Sequence, residues 1–216
     1  MVDFFSLEMS EMQLYQRLVS RMAFINANKW QNPHRFFTEE DLAKANEALN
    51  GCYKLPFQIH DDGRQTLDDI RARIQKTKRE NEGAPCLVVI DYLQLIPIAG
   101  KFERHDLAVG SVTRELKQMA KQYKVPIILL SQLSRSVEQR SDKRPMMSDL
   151  RDSGSIEQDA DLVMLLYRDD YYNAHTTHQV TEVNLVKHRN GPVGTVYLNF
   201  VKEFSWFTSK KENLNN

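Results

Sequence analysis

Apolar positions along this chain follow two rhythms. Val2–Ser6, Phe57–His60, 87–90 and 127–130 are short runs, continuous or rich in aromatic and branched residues, with the texture of strands covered on both faces. Between and after them, apolar residues recur at intervals of three and four: Leu14, Leu18, Val19 and Met22; Leu42, Ala45 and Leu49; Leu67, Ile70 and Ile74; Val112, Leu116, Met119, Ala120 and Tyr123. That spacing predicts amphipathic helices. Three helix starts are marked by a hydroxyl followed three residues later by a side chain able to return its hydrogen bond: Ser10 with Gln13, Thr38 with Asp41, Thr66 with Asp69.

Strand, helix and strand in repetition predict an α/β fold with a mainly parallel, twisted sheet flanked by helices, and ligands bind at the strand carboxyl ends of such sheets. After Gln132 the rhythm stops. Residues 134–161 are rich in Ser, Asp, Arg and Gly, and read as loops with short helical turns outside the core. Strands resume at 162–167, 182–186 and 195–200, with Asn190-Gly191-Pro192 as a turn, and read as an antiparallel extension of the sheet. One domain over residues 1–208 and a polar tail over 209–216 are expected.

Composition narrows the picture modestly. With 41% hydrophobic and 27% charged residues, 216 residues suffice for one sizeable core. Lys plus Arg (29) balance Asp plus Glu (29), so there is no bulk attraction to nucleic acid or membrane, and any DNA contact must come from locally placed groups. Cys52 and Cys86 lack Cys or His neighbours at metal-ligand spacing, which argues against a zinc knot or disulfide framework and fits a reducing cytoplasm. No apolar run approaches the roughly 18 residues of a membrane span, so no membrane partner is expected.

Candidate chemistry clusters at the predicted strand ends. Asp91 directly follows the aliphatic run 87–90, where a carboxylate can hold the water shell of magnesium; an acidic turn residue is an equally ready explanation. Glu8, just past the first strand, could face Asp91 and orient an attacking water, or simply favour a helix start. Gln132 is similarly poised beyond 127–130. Lys187 and Arg189, two apart at a strand end, could reach phosphates of a neighbouring subunit, although a solvated basic hairpin is the commoner fate of such a pattern. Arg151, Asp152 and Gly154 offer a backbone-following grip on DNA, preceded by Arg135, Arg140, Lys143 and Arg144.

Taken together, Phe5-Ser6-Leu7-Glu8-Met9, Val89-Ile90-Asp91-Tyr92-Leu93-Gln94-Leu95, Leu130-Ser131-Gln132-Leu133-Ser134-Arg135, Lys143-Arg144-Pro145, Ser148 through Asp161 and Lys187-His188-Arg189-Asn190-Gly191-Pro192 resemble the hexameric replicative DNA helicases of the DnaB type. The resemblance implies a RecA-like motor domain that hydrolyses ATP with Mg²⁺ while moving 5′-to-3′ on single-stranded DNA as a six-subunit ring. It also implies primase and a helicase loader as partners. Carried onto matching positions, it makes Glu8 the catalytic glutamate, Asp91 the magnesium-associated acid and Gln132 the sensor of phosphate state. Lys187 and Arg189 become the pair reaching the adjacent subunit's site, and Arg151, Asp152 and Gly154 members of the DNA-following loop.

The chain departs from the family pattern at its start. No G-x-x-x-x-G-K-[ST] occurs in it, so the groups that cradle the β- and γ-phosphates are not among its residues. The expectation is the carboxy-terminal part of a helicase without the first strand, phosphate loop and helix, with poor hydrolysis by this polypeptide alone. A non-hydrolysing DNA-binding or ring-assembly module and a recombinase paralogue are the alternatives.

Overall fold

The computed structural model describes residues 1–98, 105–150, 153–173 and 179–209. In chain order the elements are β1 (Val2–Ser6), α1 (Glu11–Ala23), α2 (Pro33–Phe36), α3 (Glu39–Cys52), β2 (Phe57–His60), α4 (Leu67–Glu80), β3 (Leu87–Asp91), α5 (His105–Tyr123), β4 (Ile127–Leu129), α6 (Ser153–Asp159), β5 (Leu162–Arg168), α7 (Asp169–Tyr172), β6 (Val180–His188), β7 (Gly194–Val201) and β8 (Trp206–Ser209). They fall into two compact units. The first takes Met1–Glu11 and Pro56–Asp161, the second Met12–Leu55 and the residues from 162 onward.

The first unit is built on four strands in the order β2-β1-β3-β4. Every pairing is parallel, so the carboxyl ends Ser6, His60, Asp91 and Leu129 lie along one edge. The central strands bury Phe5, Ser6, Val88 and Ile90. Asp3, on β1, is 1% exposed, and this buried carboxylate is matched by His60 Nε2 at 3.0 Å from its Oδ1. The crossover helix α4 starts at a closed capping box: Thr66 Oγ1 accepts from the Asp69 N–H at 3.2 Å, and the Asp69 carboxylate from the Thr66 N–H at 2.9 Å. Its buried residues Ile70, Ile74 and Thr77 accompany packing on β1 and α5. Each isoleucine so buried contributes about 1.5–3 kcal/mol.

The polar stretch after Gln132 is more deeply built in than its sequence suggested. Val137, Asp149, Leu150 and Ile156 are buried, and the helical part, α6, lies along α5. These apolar residues are too far apart to show a period, because an irregular segment packs through single side chains rather than a face. A Cβ at Gly110 of α5 would fall 2.4 Å from Ser155 Oγ, so only glycine admits α6 this closely. Thr113 Oγ1 also donates to Asp159 at 2.6 Å.

In the second unit, Val19, Ile25, Ala45, Ala48 and Cys52 form the buried cluster between α1 and α3, with Trp30 and Phe37 packed on it. Thr38 and Asp41 close the capping box of α3 as their spacing predicted. The antiparallel strands expected at the carboxy-terminal end pair with one another into a second four-stranded sheet, ordered β5-β6-β7-β8. β8 was not legible as a strand: it is short, and its turn from β7 rests on Ser205 in the left-handed conformation at φ 50°.

Candidate functional site

The carboxyl edge of the parallel sheet collects the strongest candidates. Ser6 pairs with Asp91, and the Leu7 N–H donates to the Asp91 carbonyl at 2.8 Å, so β1 continues alongside β3 beyond its own end. Glu8 is the next residue and is exposed at that edge. Ser6 Oγ donates to the Met9 carbonyl at 2.6 Å and turns the chain immediately afterwards. A strand pairing plus a local hydroxyl bond thus fixes where the Glu8 backbone stands.

Asp91 occupies the middle of the row, half-buried, with a cis peptide to Tyr92. On its other side, the Leu130 N–H donates to Ile90 O and the Leu93 N–H to Leu130 O, both at 2.9 Å, folding the residues after Asp91 over the end of β4. Gln94 completes the join. Its Oε1 accepts the Gln132 N–H at 3.1 Å, and its Nε2 donates to Ser131 Oγ at 3.0 Å and more distantly to the Gln132 carbonyl at 3.4 Å. The backbone of Gln132 is therefore held while the residue remains exposed. Glu8, Asp91 and Gln132 stand in that order on three adjacent strand ends, a carboxylate flanked by an acid and an amide.

Among the described residues, no three His, Cys, Asp or Glu side chains come together as a metal-binding group. Mg²⁺ is commonly held by one or two carboxylates, with water and substrate phosphates completing its octahedron. The half-buried Asp91 at the strand end fits that way of binding.

Lys187 and Arg189 belong to the second unit. Lys187 is half-buried on β6, opposite Val163. β6 ends at His188, so Lys187 lies within the strand and Arg189 is the first residue of the turn at its end. The turn closes over Gly191: His188 Nδ1 donates to the Pro192 carbonyl at 3.1 Å, and a Cβ at Gly191 would lie 2.4 Å from the His188 ring.

Arg151 and Asp152 lie outside the described residues. Gly154 is exposed on α6, where a Cβ would meet nothing within 4 Å, so packing within the chain does not require glycine there. Of the basic residues before it, Lys143 Nζ donates to the Glu138 carbonyl at 2.7 Å and Arg144 pairs with Asp142 at 3.4 Å. Arg140 turns onto buried Asp149. Gln94 and Asp149 are residues to which sequence reasoning gave no role, and Arg140 was read only as one of the basic residues before the DNA-following loop. Gln94 had one usable signal, an amide set between leucines just past a strand-end acid; the Arg140–Asp149 pair had none, since nothing in a polar loop marks which residues meet.

A family model described as the DnaB-like helicase C-terminal domain matches residues 1–209. The chain is 46% identical over 210 residues to the replicative DNA helicase DnaB of Geobacillus stearothermophilus, covering 96% of this chain and 45% of that protein. It is 45% identical to the replicative DNA helicase DnaC of Bacillus subtilis, again covering 96% and 45%. The chain thus spans about half the length of the curated relatives it matches. Among solved structures, one described as an ATPase domain superposes with a TM-score of 0.92 at 43% identity, covering 97% of this chain and 74% of that one. A DnaB-like replicative helicase, described with its interactions with primase, gives the same TM-score and identity, covering 97% and 50%. The RecA-like arrangement is the fold shared with these domains.

Proposed function

Because the chain belongs to the DnaB-like helicase C-terminal domain family, we propose that it is the motor part of a replicative DNA helicase, coupling ATP hydrolysis to 5′-to-3′ movement on single-stranded DNA and to duplex unwinding. The observation that carries this reading is the row of Glu8, Asp91 and Gln132 on adjacent parallel strand ends, with Gln132 held through Gln94. Glu8, exposed at the edge, takes the proton of the attacking water, a role worth about 10²–10⁴ in rate. Asp91 orients the water shell of Mg²⁺, which offsets charge on the transferring phosphate when bound. Gln132 contacts the terminal phosphate.

Lys187 and Arg189 supply positive charge to the site of the next subunit in a six-membered ring, and an arginine used this way is worth on the order of 10³–10⁵ in rate. Gly154 and the neighbouring Arg151 and Asp152 follow the DNA backbone, the glycine leaving room for a phosphate to approach. Primase and a loader are the proposed protein partners, in the cytoplasm. Among the described residues no helix is long and apolar enough to cross a membrane.

The test joins the part of the Geobacillus relative that precedes its matched region to Met1 of this chain. The chimera is expected to hydrolyse ATP with stimulation by single-stranded DNA, and Glu8→Gln to abolish hydrolysis while leaving nucleotide bound. Arg189→Ala should abolish hydrolysis as well, and mixing the two variants should restore part of it, since each contributes the half the other lacks. Hydrolysis that survives Glu8→Gln removes the general-base assignment; mixed rings with no recovery remove the action across subunits.

A further inference from the structure

The first unit contains an ion pair between a half-buried arginine and a buried carboxylate that the strand-end chemistry does not use. Arg140 Nη1 donates to Asp149 Oδ1 at 3.0 Å and Nη2 to Oδ2 at 2.7 Å, a two-pronged fork. The remaining guanidinium bonds stay within the same loop, from Nη2 to the Arg144 carbonyl at 2.8 Å and from Nε to the Asp142 carbonyl at 3.4 Å. Asp149 is 3% exposed and also accepts the Met146 N–H at 2.7 Å. Its own carbonyl accepts the Ser134 N–H at 2.7 Å, and Leu133 and Leu150 form an isolated antiparallel bridge.

These contacts lie between two parts of the proposed motor. Leu133 directly follows Gln132, whose backbone is held by Gln94, and Leu150 directly precedes Arg151. We propose that Arg140 and Asp149 are positioning residues whose fork fastens the foot of the DNA-following loop to the strand end carrying Gln132. The inference rests on reading residues 151–154 as DNA-facing. Arg140 is thereby removed from the set of DNA contacts and given a role inside the loop.

A buried carboxylate persists only while paired, so the fork is held or lost as a unit. Burial favours the protonated Asp149 carboxyl, but the Arg140 and Met146 donors outweigh it and keep the group below the usual carboxylate range, so the fork is charged at neutral pH. Lysine cannot replace Arg140, because a single ammonium does not reproduce the two parallel bonds.

The 216-residue chain serves for the test, with labelled oligo-dT as the probe, anisotropy measured across a salt series, and amide exchange followed over residues 133–150. Arg140→Ala, Asp149→Asn and the double variant are compared, with far-UV circular dichroism as the check on folding. Arg140→Lys provides a milder variant should Asp149→Asn not fold. Each single change is expected to weaken oligo-dT binding about 2- to 30-fold, the range for residues acting through others, with faster exchange at Ser134 and Met146. The double variant should be no weaker than the weaker single one, and the salt slope should not move.

A salt slope reduced by about 0.7 in Arg140→Ala, with tighter binding in Asp149→Asn, would instead make Arg140 a phosphate contact and overturn the proposal. Faster exchange with unchanged binding would overturn it too, reducing the fork to a loop brace. A wild-type chain that does not retain oligo-dT at low salt fails differently: it removes the DNA reading first, and the fork's role with it.

Discussion

In the parallel sheet, Phe5, Val88 and Ile90 are at most 1% exposed, whereas β5 of the antiparallel sheet, equally apolar in sequence, leaves Leu162, Met164 and Leu166 exposed by 49%, 54% and 61%. Its alternate residues Val163 and Leu165 are 7% and 3% exposed, so one face is covered and the other is not. The open face continues across the sheet, because Leu166 pairs with Val183 and Val183 with Val196, which is 59% exposed. An unbroken apolar run states that a strand sits in a sheet. It does not state how far each face is covered: the second face of the parallel sheet, through Phe4 and Val89, is half-buried and reaches Ile128 at 44% exposed, so the two sheets differ in degree.

The largest expected effect tests this contrast. Ile90→Ala should cost about 2–5 kcal/mol, the range for a fully buried isoleucine leaving a cavity, while Leu166→Ala should fall within about 0.5 kcal/mol of wild type. Urea titration followed by circular dichroism measures both. A Leu166→Ala loss as large as that of Ile90→Ala would mean that this face is covered in solution. Dependence of the melt on protein concentration would then identify the cover as a second copy.

A smaller effect separates two glycines that look alike. A Cβ would fall 2.4 Å from the nearest atom at both Gly110 and Gly191, yet the obstacles differ. At Gly110 the second contact is Ser155 Cβ at 2.9 Å, an atom fixed to the backbone of α6, so a helix must shift. At Gly191 the obstacle is the His188 ring, the far end of a side chain that can rotate away. Gly110→Ala should therefore destabilise by about 1–2 kcal/mol despite gaining roughly 1 kcal/mol of helix propensity. Gly191→Ala should cost under about 1 kcal/mol, chiefly the lost His188–Pro192 bond. Equal losses would show that α6 yields as easily as the histidine ring.

These contrasts also mark what the sequence could disclose. The strands around Phe5 and Ile90, the capped helices opening at Thr38 and Thr66, and the placement of Asp91 at a strand end with Glu8 and Gln132 just past theirs all follow from local pattern, and local pattern is what a periodic element obeys. Met22 and Leu42 fit the helical spacing yet are 44% and 50% exposed, because periodicity marks a stripe without showing how far its cover extends. Gln94 holding the backbone of Gln132, and Arg140 meeting Asp149, depend on how irregular segments fold back on one another. Hydrogen bonds of that kind leave no spacing behind.

The smallest expected effect compares two arginine forks, one in each unit. Asp149 accepts from Arg140, nine residues earlier, and Asp170 from Arg168, two residues earlier, at 2.6 and 3.1 Å. Both carboxyls lie below their ordinary value, Asp170 chiefly through the Arg168 hydrogen bond, and Asp149 because its donors outweigh a burial that acts the other way. A depressed folded-state pKa contributes stability that is complete above the unfolded value, about 3.9, and is lost as pH falls through the folded one. Arg168 and Asp170 are close enough in sequence to meet in the unfolded chain too, which narrows the difference between states; Arg140 and Asp149 must close a longer loop first. Asp149→Asn should therefore flatten the fall in melting temperature below about pH 4 more than Asp170→Asn does, each referred to its own value near pH 7. Equal flattening would show that sequence separation does not set what a fork contributes, and that burial alone does.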